Sequence, residues 1–265
     1  MTSTKENKET KIGNMKHSDI STLTCACDPY LFLWEDYTKL FNKYWLLNTH
    51  NVVVGETKSL KSKNFDFIAP GRLKNSAGKD LWGKRTLLAL EKIKTPYVFC
   101  MLIDYYFVCD ITKDFIEKQI DFLNTNNANK LLLDEYSPFY DLHLHSPPYY
   151  RFDNKSSYQT SLMPAIWRTE WLKSIIKEND SPWDFETLGT HRIKNQDNRV
   201  YINRRKSPLI YNVISKCKFI PERWGPCTEA QGGVPIKWVD FKEKEQLSDY
   251  SAYLTPALYK GAGRG

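Results

Sequence analysis

Along this chain short apolar runs of strand length alternate with stretches in which hydrophobic residues return every three or four positions. Ser21–Cys27 reads as a first strand. In the next stretch Leu33, Tyr37, Leu40, Phe41 and Tyr44 fall on one face of a helix spanning Leu33 to Tyr44. A β-branched run follows at Val52–Val54, and a polar, Lys-rich segment with turn residues continues through Lys79. The spacing then predicts a helix over Leu81–Ile93, its buried side marked by Leu81 and Leu88 and by Trp82, Ala89 and Ile93. Another helix, Lys113 to Leu123, buries Ile116, Ile120 and Leu123, and Leu131–Leu133 is a further strand. Strands alternating with helices imply an α/β protein with a mainly parallel sheet and helices on both faces.

One run stands apart. From Thr95 to Val108 the residues are almost all apolar, yet Asp104 sits near the end. An ionised carboxylate in a dry interior costs several kcal/mol unless it is paired or bound to a cation. At the carboxyl end of a strand in an α/β sheet it would instead face the crevice where ligands bind. An Asp opening a turn at the strand end satisfies the same pattern.

Tyr136–Tyr158 breaks the rhythm, being rich in Tyr, Pro and His with no sustained period. So long an irregular segment reads as a functional loop or lid, with Tyr136, Tyr140, Tyr149 and Tyr150 suited to stacking on sugars or bases, or else covering a surface cluster. His143 and His145 alternate as on one strand face, half of a metal site at most. Beyond Ser161–Trp167 a helix presents Trp171, Leu172, Ile175 and Ile176 to the core and stops before Asp180–Ser181–Pro182. Trp183–Asp184–Phe185–Glu186 then alternates aromatics with acids. An extended chain would put the two acids on one side, whereas a helical first turn would put them near the positive end of the dipole. Either setting holds a carboxylate beside apolar rings, which raises its pKa and suits a general base; capping of a helix by Asp184 is the plainer alternative.

Composition narrows the classes. A hydrophobic content of 41% with 14% aromatics is ample for a core in 265 residues. No apolar stretch reaches the roughly 18–20 residues that span a bilayer, and the N-terminus lacks the apolar centre of a signal peptide. These features lead us to expect a cytoplasmic protein. A net charge of +7 favours an anionic ligand or a peripheral association with an anionic membrane surface. No zinc finger, helix-turn-helix or RNA-binding aromatic signature argues for nucleic acid. The 6 cysteines form no CxxC pair and read as reduced, packed thiols.

Taken in order, Cys27–Tyr30 with Leu33–Trp34, Lys43–Trp45, Trp82–Arg85 with Leu87–Leu88, Thr95–Tyr97 leading to Asp104, Ser161–Trp167 and Trp183–Glu186 resemble bacterial glycosyltransferases of the GT-A fold that serve capsule and lipopolysaccharide assembly. The resemblance runs from about Thr22 to Tyr211. It implies a Rossmann-like, mainly parallel sheet flanked by helices, with an irregular C-terminal acceptor region. It also implies that Cys27, Asp28 and Tyr30 hold the nucleotide base, that Lys84 or Arg85 lies near the diphosphate, and that Asp104 contacts ribose and a bridging divalent metal, Mn or Mg. Glu186 or Asp184 would deprotonate the acceptor hydroxyl, with Tyr149, Tyr150 and Arg192 lining the acceptor site. A hydroxyl is a poor nucleophile until a base takes its proton, and the leaving diphosphate needs cations or fixed donors. One in-line displacement would invert the anomeric carbon.

The chain departs from the pattern at Asp104–Tyr105, where such proteins usually carry two adjacent acids. Three arrangements are compatible with that loss: a metal held by Asp104 with a later ligand such as His191, metal-independent catalysis using Lys84, Arg85 or Arg192, or an inactive relative that binds nucleotide or carbohydrate. A nucleotidyl- or phospho-sugar transferase on a similar sheet is a second rival. The expected organisation is a flexible tail over 1–19, a GT-A-like domain over 20–215 and an extension over 216–265 packing on it. The basic run Asn198–Lys206 suits an anionic acceptor or a solvated loop. The donor would be a nucleotide-diphosphate sugar and the acceptor a glycan or lipid-linked glycan at the inner face of the cell membrane.

Overall fold

The computed structural model describes residues 19–78, 80–133, 140–194, 199–204, 209–215 and 218–219. The expected tail and nearly all of the expected C-terminal extension lie outside the described residues. Strand β1 (Ile20–Cys25) leads through a 3-10 turn, Asp28–Leu33, into α1 (Trp34–Tyr44). The five positions that share the α1 stripe, Leu33, Tyr37, Leu40, Phe41 and Tyr44, are all buried. Fully burying an aliphatic side chain of this kind contributes about 2 kcal/mol. Then come β2 (Asn51–Val54), β3 (Asp66–Ile68), α2 (Trp82–Leu90), β4 (Tyr97–Leu102) and β5 (Tyr105–Phe107). Helix α3 (Lys113–Thr125) starts at Thr112, whose side chain accepts from the Phe115 N–H, and is followed by β6 (Lys130–Leu132).

The segment expected to be an irregular lid is, over its described residues, a hairpin of β7 (Leu142–Ser146) and β8 (Tyr149–Phe152) turning at Pro147–Pro148. This corrects the expectation, although 134–139 lie outside the described residues. The hairpin forms a sheet edge with His143, Leu144 and His145 exposed, so the solvent gives the strand no apolar partner to reveal its period. Strand β9 (Ala165–Arg168), α4 (Thr169–Ile175), α5 (Pro182–Asp184), a wider π-type turn Phe185–Gly189, α6 (Thr190–Ile193), β10 (Val200–Asn203) and β11 (Ile210–Asn212) complete the ordered core.

The main sheet runs β3-β2-β1-β4-β9-β6-β10-β8-β7. Strands β9 and β8 run against the others, so the sheet is mainly parallel as expected. Alternate residues serve opposite faces. From β4, Tyr97, Phe99 and Met101 join the α1 and α3 side, while Val98 and Cys100 join the α2 and α4 side. Of the expected helix stripes, Leu81, Leu88 and Trp171 are only half-buried. Cys25 and Cys100 are buried and Cys27 and Cys109 partly exposed, and none of the four is in a disulfide. Among the described residues no helix is long and apolar enough to cross a membrane. A second, two-stranded sheet pairs β5 with β11 and closes over the carboxyl end of β4.

Candidate functional site

The chain leaves β1 toward β2 on one side, while β4 pairs β1 on the other. The onward connections of β1 and β4 thus lead to opposite halves of the sheet, and open α/β sheets bind ligands outside the strand ends at such a switch. The Ile103 N–H donates to the Cys25 carbonyl at 3.0 Å, which ties the two strand ends together and fixes where the next residue points. That residue is Asp104, only 6% exposed. Its Oδ2 accepts from Asn212 Nδ2 at 3.1 Å, and the Val213 N–H donates to its carbonyl at 2.9 Å. Its Oδ1 is buried and finds no hydrogen-bond partner among the described residues. Burial pushes the Asp104 carboxyl up to about 7, against the Asn212 hydrogen bond and with help from the nearby Glu186 charge.

Glu186 arrives from the other half of the sheet. Ser181 caps α5 with its side chain accepting from the Asp184 N–H, Pro182 occupies the first turn, and Asp184 Oδ2 accepts in return from Ser181 N and Oγ at 3.0 and 2.8 Å. The motif is thus helical, and the extended alternation is excluded: Phe185 is wholly buried against Trp82 and Trp167, while Trp183 is 46% exposed. Asp184 is engaged in the capping box. Glu186, two residues on, keeps some accessible surface, although protein packs around its carboxyl, and Leu162 N–H donates to its Oε1 at 2.7 Å. Burial raises its pKa, opposed by that hydrogen bond and by the Lys130 charge.

The turn after β1 is partly to fully buried. Cys27, beside Glu56 and Asp104, has its thiol pushed up to about 12, chiefly by burial, and so stays protonated. Burial pushes the Asp28 carboxyl up, but hydrogen bonds from Thr57 and from the Lys58 N–H more than offset this and hold it below the usual range. Tyr30 is partly exposed and packs edge-on to Phe32 at 6.4 Å. Arg85 is buried at 3%, bound to both carboxylate oxygens of Asp80 and 3.6 Å from Glu56. Lys84 is half-exposed and 3.6 Å from Glu178.

Other expected site residues are held elsewhere. Arg192 grips Asp180 through both terminal nitrogens and donates to the Ile175 carbonyl at 3.0 Å. Tyr149 stacks on Phe122 with ring centroids 3.7 Å apart, and its hydroxyl donates to Gln119. Tyr150 lies 5.7 Å from the Arg204 guanidinium. Both tyrosines ride on β8, four strand spacings from β4, about 19 Å laterally. His191 is exposed on α6, and among the described residues no group of three or more His, Cys, Asp or Glu is arranged to hold a metal ion. Asp104 alone fits a divalent cation only in company: Mg²⁺ commonly takes one or two carboxylates together with oxygens of a bound phosphate chain.

Three participants escaped the sequence reading. Asn212 carried no local signal, because only the β5–β11 pairing brings it to Asp104. Glu56 lies in a polar stretch that reads as loop. Lys130 opens an apolar strand and looks like a solvated end, yet it is wholly buried. Its position two before Leu132, on the core face, was the available clue.

No protein-family model matches the chain, and no curated protein matches it. Among solved structures it is similar to S. aureus TarS 1-349 in complex with UDP, with a TM-score of 0.50 and 13% identity over 91% of this chain and 77% of that one. A longer S. aureus TarS structure gives 0.48 and 15%; the match covers 79% of this chain but spans only 38% of that one. A UDP-glucose pyrophosphorylase complexed with UDP-glucose gives 0.48 and 10%, covering 80% and 97% of the two chains. At such identities the likeness speaks to architecture, and the architecture is GT-A-like: a mixed α/β fold with a large, mainly parallel central sheet flanked by helices.

Proposed function

We propose that the protein is a glycosyltransferase that moves a sugar from a nucleotide-diphosphate donor to a hydroxyl of a surface-glycan acceptor by an inverting single displacement. The observation that carries this reading is the meeting of two carboxylates at the crevice. Asp104 brings a buried oxygen with no hydrogen-bond partner among the described residues, and Glu186 lies near enough to raise its pKa. The resemblance in sequence and the TarS-like fold support the same reading.

In this reading the turn of Cys27, Asp28 and Tyr30 takes the base and ribose. Arg85 supplies fixed positive charge beside it, within reach of the Cys27 thiol's surroundings. Asp104 faces the diphosphate, and a divalent cation bound there with the phosphate oxygens would neutralise charge on the leaving group. Glu186 takes the proton from the acceptor hydroxyl at its free Oε2, since Oε1 already accepts from Leu162. Asp184 is left to structure, because its carboxylate is committed to the cap.

One observation favours a second reading, a relative that binds nucleotide or carbohydrate without catalysis. Tyr105 takes the place of the second acid and is buried in β5, paired with Asn212. Calorimetric titration of nucleoside diphosphates with and without Mn²⁺ tests both. The transferase reading expects saturable binding, stronger with metal and weakened in Asp104→Asn, with Glu186→Gln binding nucleotide normally while losing transfer. Carbohydrate binding with no nucleotide binding would select the second reading and overturn the first.

A further inference from the structure

Lys130 is wholly buried on the α2 and α4 face of the sheet, at a strand position directly opposite Trp167. Its Nζ donates to the Gln159 carbonyl at 3.0 Å, to the Ser161 carbonyl at 2.8 Å and to Ser161 Oγ at 3.2 Å. The nitrogen also lies 4.3 Å from the centre of the Trp167 ring. Three acceptors match three ammonium protons, whereas a neutral amine has only two to give. An aromatic face beneath the same nitrogen also favours the cation. The side chain is therefore built into the fold as a charged group, in a place where an isolated charge would be strongly disfavoured.

The turn it grips is the one that holds the Glu186 carboxyl. Leu162, next to Ser161, gives its N–H to Glu186 Oε1 at 2.7 Å. Thr160, between the two carbonyls that Lys130 binds, donates to the Phe185 carbonyl at 2.8 Å. Thr190 Oγ1 takes the Thr160 N–H at 3.2 Å and lies 2.7 Å from the Glu186 carbonyl. Gly189 permits this approach, since a Cβ there would stand 2.9 Å from Thr160 Oγ1. The buried ammonium, the 159–162 turn and the π-type turn thus form one continuous polar connection in an otherwise apolar layer.

We propose, building on the transferase reading, that Lys130 is a positioning residue for Glu186: it clamps the turn that orients the carboxylate and supplies the charge that keeps it ionised and ready to accept a proton. The groups facing this pair are few. Glu186 on the π-type turn favours the Lys130 cation, against burial, which pushes its pKa well down, while Cys100 on β4, its own pKa pushed well up, faces it as a neutral thiol. Cys25 on β1 faces Cys100, and Asp104 beyond β4 faces Glu186 as a like charge. Among the described residues Lys130 is the cation acting on the Glu186 carboxyl, where it opposes burial.

The test uses the full chain with ¹³C-labelled glutamate carboxyls, the Glu186 signal being identified by its loss in Glu186→Gln. In Lys130→Met, which keeps the length and removes the charge, the Glu186 titration should move up by about one pH unit or more. An unchanged titration in the folded variant overturns the proposal. If Lys130→Met does not fold, the same coupling is read from the other side: in Glu186→Gln the Lys130 Cε resonance should titrate lower by an equal amount, since coupling is reciprocal. A lysine signal that does not move is the overturning result there. Neither titration needs a substrate. Lack of transfer by the wild-type protein would therefore sink the transferase reading separately, leaving the charge-coupling measurement to stand or fall alone.

Discussion

Asp104→Asn should make the ligand-free protein more stable while removing its function. Raising this carboxyl from 3.8 to about 7 means that ionising it in the folded state costs about 4 kcal/mol more than in the open chain. The folded protein holds the Asp104 proton more tightly than the unfolded one, so the stability linked to it is full below about pH 4. It is lost as pH rises through about 7. Asparagine is neutral at every pH and its oxygen can still accept from Asn212. Its new amide N–H groups then occupy the place of the unpartnered Oδ1, a penalty of about 1–3 kcal/mol. The net expectation at pH 8 is a gain of about 1–3 kcal/mol, shrinking toward zero or reversing at pH 4. Urea unfolding at the two pH values, beside nucleotide-sugar turnover, measures both halves. A variant equally destabilised at pH 8 and pH 4 would refute the reasoning, because the Asp104 carboxyl would then titrate alike in the folded and unfolded chains.

Other expected outcomes follow from packing and capping. Ser181→Ala removes one half of the capping box and should cost about 1 kcal/mol in chemical unfolding, with turnover falling only as far as the Glu186 turn loosens. Gly83→Ala would drive a Cβ into the Lys177 carbonyl where α2 docks on the segment after α4, and should lose about 3 kcal/mol by the same assay. Tyr149→Ala forfeits the stack on Phe122 and should cost about 3 kcal/mol while leaving nucleotide binding unchanged in calorimetry. If that variant instead loses acceptor turnover at full stability, Tyr149 belongs to the acceptor site after all.

What the sequence made legible follows from how local the forces are. The α1 and α3 stripes and the β-branched β2 are set by period and burial, and they stand where periodicity puts them. Asp104 showed itself because a charge in an apolar run is anomalous whatever surrounds it. The β7–β8 hairpin stayed hidden because β7 is exposed on both faces over 143–146, so burial sets no period along it. The choice between extended and helical geometry at Trp183–Glu186 depended on a cap, and Ser181–Pro182 carried that signal three residues earlier. Arg192 looked like a free cation because its partner Asp180 is reached only when α6 folds back across the end of α4. Lys130 and Asn212 matter through contacts 31 and 108 residues away in sequence, and no window along the chain contains both ends.

The distance between Asp104 and Asn212 also has a consequence for how the protein comes into being. During synthesis β1, β2 and β4 can pair as soon as they emerge, since each needs only strands already made. Asp104 would then stand at the end of a formed sheet with neither its carbonyl nor its carboxyl partnered, until β11 arrives and pairs with β5. Closure of so long a loop is a late event in folding. The crevice is therefore finished only when nearly the whole described chain has been made. A ribosome-bound chain ending before Tyr211 should fold much of its sheet and still fail to bind nucleotide, so that ligand binding becomes a signal of completed synthesis.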